Sequence, residues 1–452
     1  MFRTGFWGLG LLLGLAACDQ DATLEGERFG TRVPLAETFP ADINPNAEVA
    51  PRGTPGDTVG AGPREITLPP PVVNADWMQR AANIRNLPPH VALSAAPQEI
   101  WAVAIGQGNS RRNRITADPV VTDGRIFTLD ADAGVRATAT SGGALWSVDL
   151  TPGFEHGSGG ASGGALAVAG PTVFATTGYG ELVALNVADG SECWRQRLGA
   201  GITAPTIAND TAYIVSRDNQ AWAIDISNGR IRWQLPAAPT TGAVLSGGAA
   251  PAITDRLVIF PLGSGELVGA LRLSGVRVWA TTVAGGRRGV AYNNLADITA
   301  DPVVDGDVIY VGNQSGRVVA LEAASGQRIW TATDGAYSPV LPVGDSVFFV
   351  SDRNELVRLD AETGARIWGT DLPLYVRNRE RRRKAVFTHF GPILAGDRLV
   401  VGSGDGLIRM FAPESGELVL TLPLPGGAAA SPVVAGGVLY AVSTDGRLHA
   451  YR

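Results

Sequence analysis

Seven times along this chain of 452 residues a glycine stands four positions ahead of a tryptophan, or of a leucine in its place, at one register of a longer repeat. The glycines are Gly142, Gly190, Gly229, Gly275, Gly326, Gly364 and Gly416. Residues 308–330 align with 347–368, and the same unit runs over 173–194, 212–233 and 257–279, with weaker copies over 126–146 and 399–420. From Trp146 to Trp368 the tryptophans are spaced by 48, 39, 46, 51 and 38 residues. A period of that size marks a supersecondary unit that buries its apolar face only by stacking on its neighbours.

Each unit reads as four strands. A first apolar run follows a proline, as in Pro302-Val303-Val304 and Pro432-Val433-Val434. A second alternates apolar with small or polar residues, a third follows a glycine-containing turn, and a fourth ends in the tryptophan. Short alternating runs with evenly spaced turn signals argue for strands, and the turn glycines supply positive φ at little steric cost. The chain holds 58 Gly and 29 Pro, well above the usual share of about 12%. That punctuation argues against a helical bundle. Four-stranded units at this period are propeller blades.

First strands are expected near Asp118, Gly163, Thr203, Ala249, Asp301, Ser338, Gly391 and Ser431, one more than the seven glycine-marked endings. The last unit stops after a third strand at residues 447–451, and a spare strand lies at residues 99–105. Pairing the two closes a ring and removes two open sheet edges. The expected fold is therefore all-β: an eight-bladed β-propeller of four-stranded antiparallel blades, closed by the N-terminal strand, with seven blades as the alternative if the weak first unit is not a blade.

Residues 1–17 carry Arg3, an apolar run from Phe6 to Leu15, and then Ala16 and Ala17. A charged start, a short apolar stretch and a small-residue exit read as a secretory signal, and the run is shorter than the ~20 residues of a membrane span. Residues 18–95 are rich in proline and weakly periodic, which reads as a tether, with residues 77–90 apolar enough to pack on the domain that follows. The propeller is expected over residues 96–452. Formal charge is −6, from 37 basic and 43 acidic residues, so nucleic acid is not the expected partner.

The unit Ala-Leu-(Asp/Asn/Glu)-x-x-x-Gly-x-x-x-Trp, seen over residues 184–194 and 320–330, resembles the repeat of pyrroloquinoline-quinone-type propellers. Leu15-Ala16-Ala17-Cys18 resembles a bacterial lipobox. Together with the runs that begin at Thr177, Ser264 and Gly391, these features resemble the BamB family, the lipoprotein propellers of the outer-membrane β-barrel assembly machinery. The resemblance covers the lipobox and nearly all of residues 96–452. It implies lipidation of Cys18, a lipid-anchored position on the periplasmic face of the outer membrane, and no cofactor. Asp19 after the cysteine keeps inner-membrane retention open as the alternative.

The implied partners are the POTRA domains of the central barrel protein, with nascent outer-membrane proteins as a second class. A family run before the fourth blade falls here on Ala243, Leu245 and Ser246; Leu245 is kept, while Ala243 and Ser246 replace a leucine and an arginine. Before the fifth blade Asp297 is kept and Thr299 replaces a second acid. Arg287 and Arg288 are expected to restore the charge lost at Ser246. A quinoprotein dehydrogenase and an envelope polymer-binding propeller are the competing functions. The dehydrogenases usually carry an adjacent cysteine pair, whereas Cys193 is the only cysteine besides Cys18.

Other features read as structural. Cys193 is expected as a small buried thiol in a fourth strand, and the tryptophans are expected to pack between blades. His90, His156, His389 and His449 are isolated and show no zinc-ligand spacing, so each is expected at the surface or hydrogen-bonded. The glycine run 157–164 lacks the Gly-Lys-Ser/Thr of a phosphate loop. Six of the eight residues 377–384 are basic, which suggests a solvated loop or a contact with an acidic protein or anionic lipid.

Overall fold

The computed structural model of the chain describes residues 64–153, 162–236, 248–283, 285, 297–377 and 379–452. Among them the strands group into eight four-stranded antiparallel sheets. Seven are built from consecutive strands, over residues 120–149, 164–197, 206–236, 252–282, 303–332, 341–371 and 389–423. The eighth combines residues 433–451 with the strand Glu99–Ala104. Ala102 lies opposite His449 and Ala104 opposite Arg447, and Gln98 and Arg452 exchange backbone hydrogen bonds of 2.8 and 2.9 Å just beyond the strand ends. The molecule is an eight-bladed propeller closed as the repeat arithmetic requires.

Burial follows position within a blade. Second strands such as Thr211–Val215 and Ser346–Val350 are buried along their whole length, small and polar positions included. Fourth strands such as Glu192–Arg197 lie at the rim and are half exposed.

Successive blades are latched by one repeated contact. The Trp146 indole lies on Gly190 of the next blade, where a built Cβ would come within 2.6 Å of the ring, and its N–H donates to Val187 O at 3.0 Å. Trp194 on Gly229, Trp233 on Gly275, Trp279 on Gly326, Trp330 on Gly364 and Trp368 on Gly416 repeat the arrangement. Gly190 also has φ +75°, so its missing side chain serves both the turn and the ring. Trp101 of the closing strand makes the same contact with Gly142 of the first blade and donates to Thr140 O at 3.2 Å. Leu420 replaces the ring between the seventh and eighth blades. A second-strand aromatic backs many of these indoles, as Phe174 does Trp194 with centroids 5.9 Å apart.

The residue before each of these positions sits in a β-bulge. Ala184 pairs with Trp194 and Leu185 with Glu192, which leaves Cys193 unpaired. The other fourth strands shift register at the same place, and Ile100, Leu145, Val278, Ile329 and Val419 all turn outward there. Cys193 is accordingly exposed, not buried as expected. A bulge re-aims the side chain it holds, and period-two patterning does not reveal it.

Gly190→Ala should lower stability by about 2 kcal/mol or more, because a Cβ in left-handed backbone costs about 1–2 kcal/mol before it meets the ring. Ala188→Gly in the same turn should cost less than half as much. Chemical denaturation of the two variants checks this, and equal losses would show that the indole contact contributes nothing.

Candidate partner-binding face

The two ends of the ring differ in what covers them. Antiparallel order puts the connections between blades, and the turns between second and third strands, on one end. Turns between first and second strands and between third and fourth strands lie on the other.

Residues 64–91, expected in the tether, run across that second end and into the axis. Arg64 pairs with Asp345 and Asp360 of the sixth blade, each at 2.7 Å. The fully buried Arg358 donates to the carbonyls of Arg64 at 2.7 Å and Glu65 at 3.3 Å. Asn74 O accepts from Gly436 N–H in the eighth blade at 2.7 Å, and Trp77 exchanges backbone hydrogen bonds with Val121 in the first. Val168 N–H donates to Met78 O, Ile207 N–H to the Gln79 side chain, Ile253 N–H to Ile84 O and Val304 N–H to Arg85 O. Val91 pairs with the first strand of the seventh blade. This one segment therefore touches all eight blades. Its turns need left-handed backbone at Ala81, Ala82 and Asn86, strain that the surrounding bonds must offset. Trp77 is buried to 2% exposure.

Arg80 lies in the axis between two carboxylates, with Nε 2.9 Å from Asp301 and 3.6 Å from Asp118. Asp301 also accepts from Ala250 N–H, and Asp118 from Ser431 N–H, both at 2.7 Å. Burial pushes both carboxyls above their ordinary range against the pull of Arg80. It also works against the Arg80 charge, but the two acids outweigh it and hold the guanidinium above its ordinary value. The space left beside Trp77, Arg80 and Pro392 is a cavity of about 30 Å³, room for about a water molecule. No sequence motif announced this site, since Asp118 and Asp301 read only as residues preceding a proline.

The three described histidines are buried and bonded. His90 bonds Pro69 O and the Asp397 N–H, His389 bonds Ser403 Oγ and Pro373 O, and His449 bonds Ser443 Oγ and Glu99. Burial pushes the His389 pKa below its ordinary value. Among the described residues no three His, Cys, Asp or Glu side chains converge as a metal site. His156 and most of the glycine run lie outside the described residues.

The opposite end carries the inter-blade connections. A groove of about 570 Å³ opens there between Gln107, Asp132, Arg136, Asp149 and Tyr179. Asp130 builds its wall by accepting from the N–H groups of Gln107, Asp132 and Gly134 at 2.7–2.9 Å. Ala243, Leu245, Ser246, Arg287 and Arg288 lie outside the described residues, as does Cys18. Asp297 is described and is only 5% exposed. Thr299 Oγ donates to Ala336 O at 3.0 Å, which ties two connections together.

A closed ring whose axis is filled from one end by its own chain defines a propeller that offers loops, rather than an axial opening at that end, to other molecules. The chain belongs to the family described as the outer membrane protein assembly factor BamB, whose sequence model matches residues 131–370 and 379–452. Relatives of that name are 24% identical over 365 residues in Shewanella oneidensis and 25% over 366 residues in Salmonella typhimurium. The alignments cover 78% and 80% of this chain and 88% and 90% of those proteins. The crystal structure of BamB from Moraxella catarrhalis shares the fold, with a TM-score of 0.64 at 18% identity over 79% of this chain and all of that one. A europium-containing methanol dehydrogenase has a TM-score of 0.60 at 13% identity, covering 81% and 89%.

Arg80→Met should destabilise the protein by about 3–5 kcal/mol at neutral pH by leaving two buried carboxylates without a counter-charge. Burial raises their pKa values, so the variant binds protons more readily folded than unfolded, and its deficit should shrink as pH falls. Denaturation at neutral and mildly acidic pH checks the sign. A deficit that stays constant would mean the acids do not feel Arg80.

Proposed function

We propose that this chain is a non-enzymatic scaffold of outer-membrane β-barrel assembly that binds the POTRA domains of the central barrel protein. Its binding surface is the end that carries the inter-blade connections, including those that hold Leu245, Arg287 and Arg288. Lipid on Cys18 holds it at the periplasmic face of the outer membrane. The observation that carries this reading is near end-to-end correspondence with relatives named as assembly factors, 88–92% of whose length is matched in the first four. The self-filled axis supports it, because binding by loops needs no axial pocket. The likeness to a europium-containing methanol dehydrogenase, at 13% identity, extends to the fold alone.

The test is a pull-down of tagged full-length protein from gently solubilised envelopes, with partners identified by mass spectrometry. A POTRA-containing barrel protein should be recovered, and Leu245→Asp or the pair Arg287→Glu and Arg288→Glu should reduce it severalfold. Undiminished recovery would remove the surface from the reading. A dehydrogenase or wall component recovered in its place would remove the assembly role. Cys18→Ser should release the protein from membranes and abolish the added acyl mass.

A further inference from the structure

Between the sixth and seventh blades the connection rises as a two-stranded ribbon. Tyr375 and Val386 form an antiparallel bridge, Val376 N–H donates to Ala385 O at 3.1 Å, and Phe387 N–H donates to Leu374 O at 2.9 Å. A single 3-10 turn, Glu380–Arg382, makes the tip. Arg377, Arg379, Arg381, Arg382, Arg383 and Lys384 are all exposed there. The Arg383 guanidinium lies 4.8 Å from the Tyr375 ring centroid and folds the tip onto its stem. Six cations and Glu380 give residues 377–384 a charge of +5, which leaves −11 on the rest of a chain whose total is −6. Just below the cations Val376 and Val386 are 46% and 52% exposed.

Cations above an apolar collar match a layer of phosphates above hydrocarbon. Arginine presents a planar fork that fits phosphate oxygens. Each cation near an anionic leaflet contributes about 1 kcal/mol, and apolar side chains beside them are stabilised at interfacial depth. An acidic protein face accounts for the cations and gives the two valines no particular role. Arg64 pairs with Asp345 and Asp360 of the same sixth blade, on the end opposite the one from which the ribbon leaves.

We propose that the ribbon is a membrane contact that binds an anionic phospholipid leaflet and turns the blade 6–7 sector of the rim toward it. The proposal rests on the reading that the protein works at a membrane surface, but it does not need the barrel partner.

The test is flotation of the chain from residue 18 onward, carrying Cys18→Ser and therefore no acyl group, with two kinds of vesicle. One is phosphatidylcholine alone and the other is half phosphatidylglycerol. Association with the anionic vesicles should exceed that with the neutral ones at least tenfold and should fall in high salt, where the screening length drops to about 3 Å at 1 M. The triple change Arg379→Glu, Arg381→Glu, Arg382→Glu should abolish it with an unchanged melting temperature, since these side chains are exposed. Val376→Ser with Val386→Ser should weaken it while keeping the charge. Equal binding to both vesicles, or binding that survives charge reversal, overturns the proposal. So does a charge-reversed variant that loses the barrel protein in the pull-down while the unaltered chain fails to float, which would assign the ribbon to an acidic protein face. Loss of the barrel protein from every pull-down, with flotation intact, would remove the assembly reading and leave the ribbon's role standing.

Discussion

Every boundary but one in the ring is an indole lying on a glycine of the next blade. The ring cannot approach that backbone if any side chain is present, because a Cβ at Gly190 would sit 2.6 Å from Trp146. The glycine is also the residue that the left-handed turn requires, so one position satisfies two constraints. The indole N–H finds a carbonyl of the neighbouring blade, which removes the cost of burying a donor. Seven such contacts propagate the rotation from blade to blade, and the strand Glu99–Ala104 brings Trp101 to the place where the ring must close. The bulge beside each indole follows from the same need. It frees the preceding residue from the ladder and turns it outward in most blades, whereas Ile367 before Trp368 is buried.

Closure leaves an axis lined by first strands, and the chain fills it with its own residues 74–91. That segment satisfies first-strand groups on all sides, and it places Arg80 between Asp118 and Asp301 where water has little access. One end of the ring is thereby committed to the protein's own chain. Connections, a groove and a cationic ribbon occupy the other, so interaction with other molecules falls to loops. The chain is a member of a family described as outer membrane protein assembly factors, and its two faces differ in what covers them.

Several elements were legible because their cause is local. A glycine four residues before a tryptophan encodes turn and packing partner at once, and the missing fourth strand of the last unit could be counted. Trp101 was harder, because it carries no glycine of its own and meets Gly142 only after the ring closes. The exposure of Cys193 depends on a bulge that period-two patterning does not mark. Residues 77–90 were apolar enough to be expected on the domain, but residues 64–76 looked only like a tether, because the segment's hydrogen bonds are made to eight different blades and leave no periodic trace.

Repeat spacing, turn glycines and the split last unit determined by themselves that this protein is an eight-bladed ring, since each is a short-range pattern that reports its own backbone geometry. The lipobox-like leader and the basic run at residues 377–384 were equally plain as chemistry. Which residues fill the axis, which face remains open and where the basic run projects were decided only by tertiary structure. Those properties arise from contacts between residues hundreds of positions apart, such as Arg64 with Asp360 or Asn74 with Val434, and no local pattern records a contact that exists only once the ring has closed.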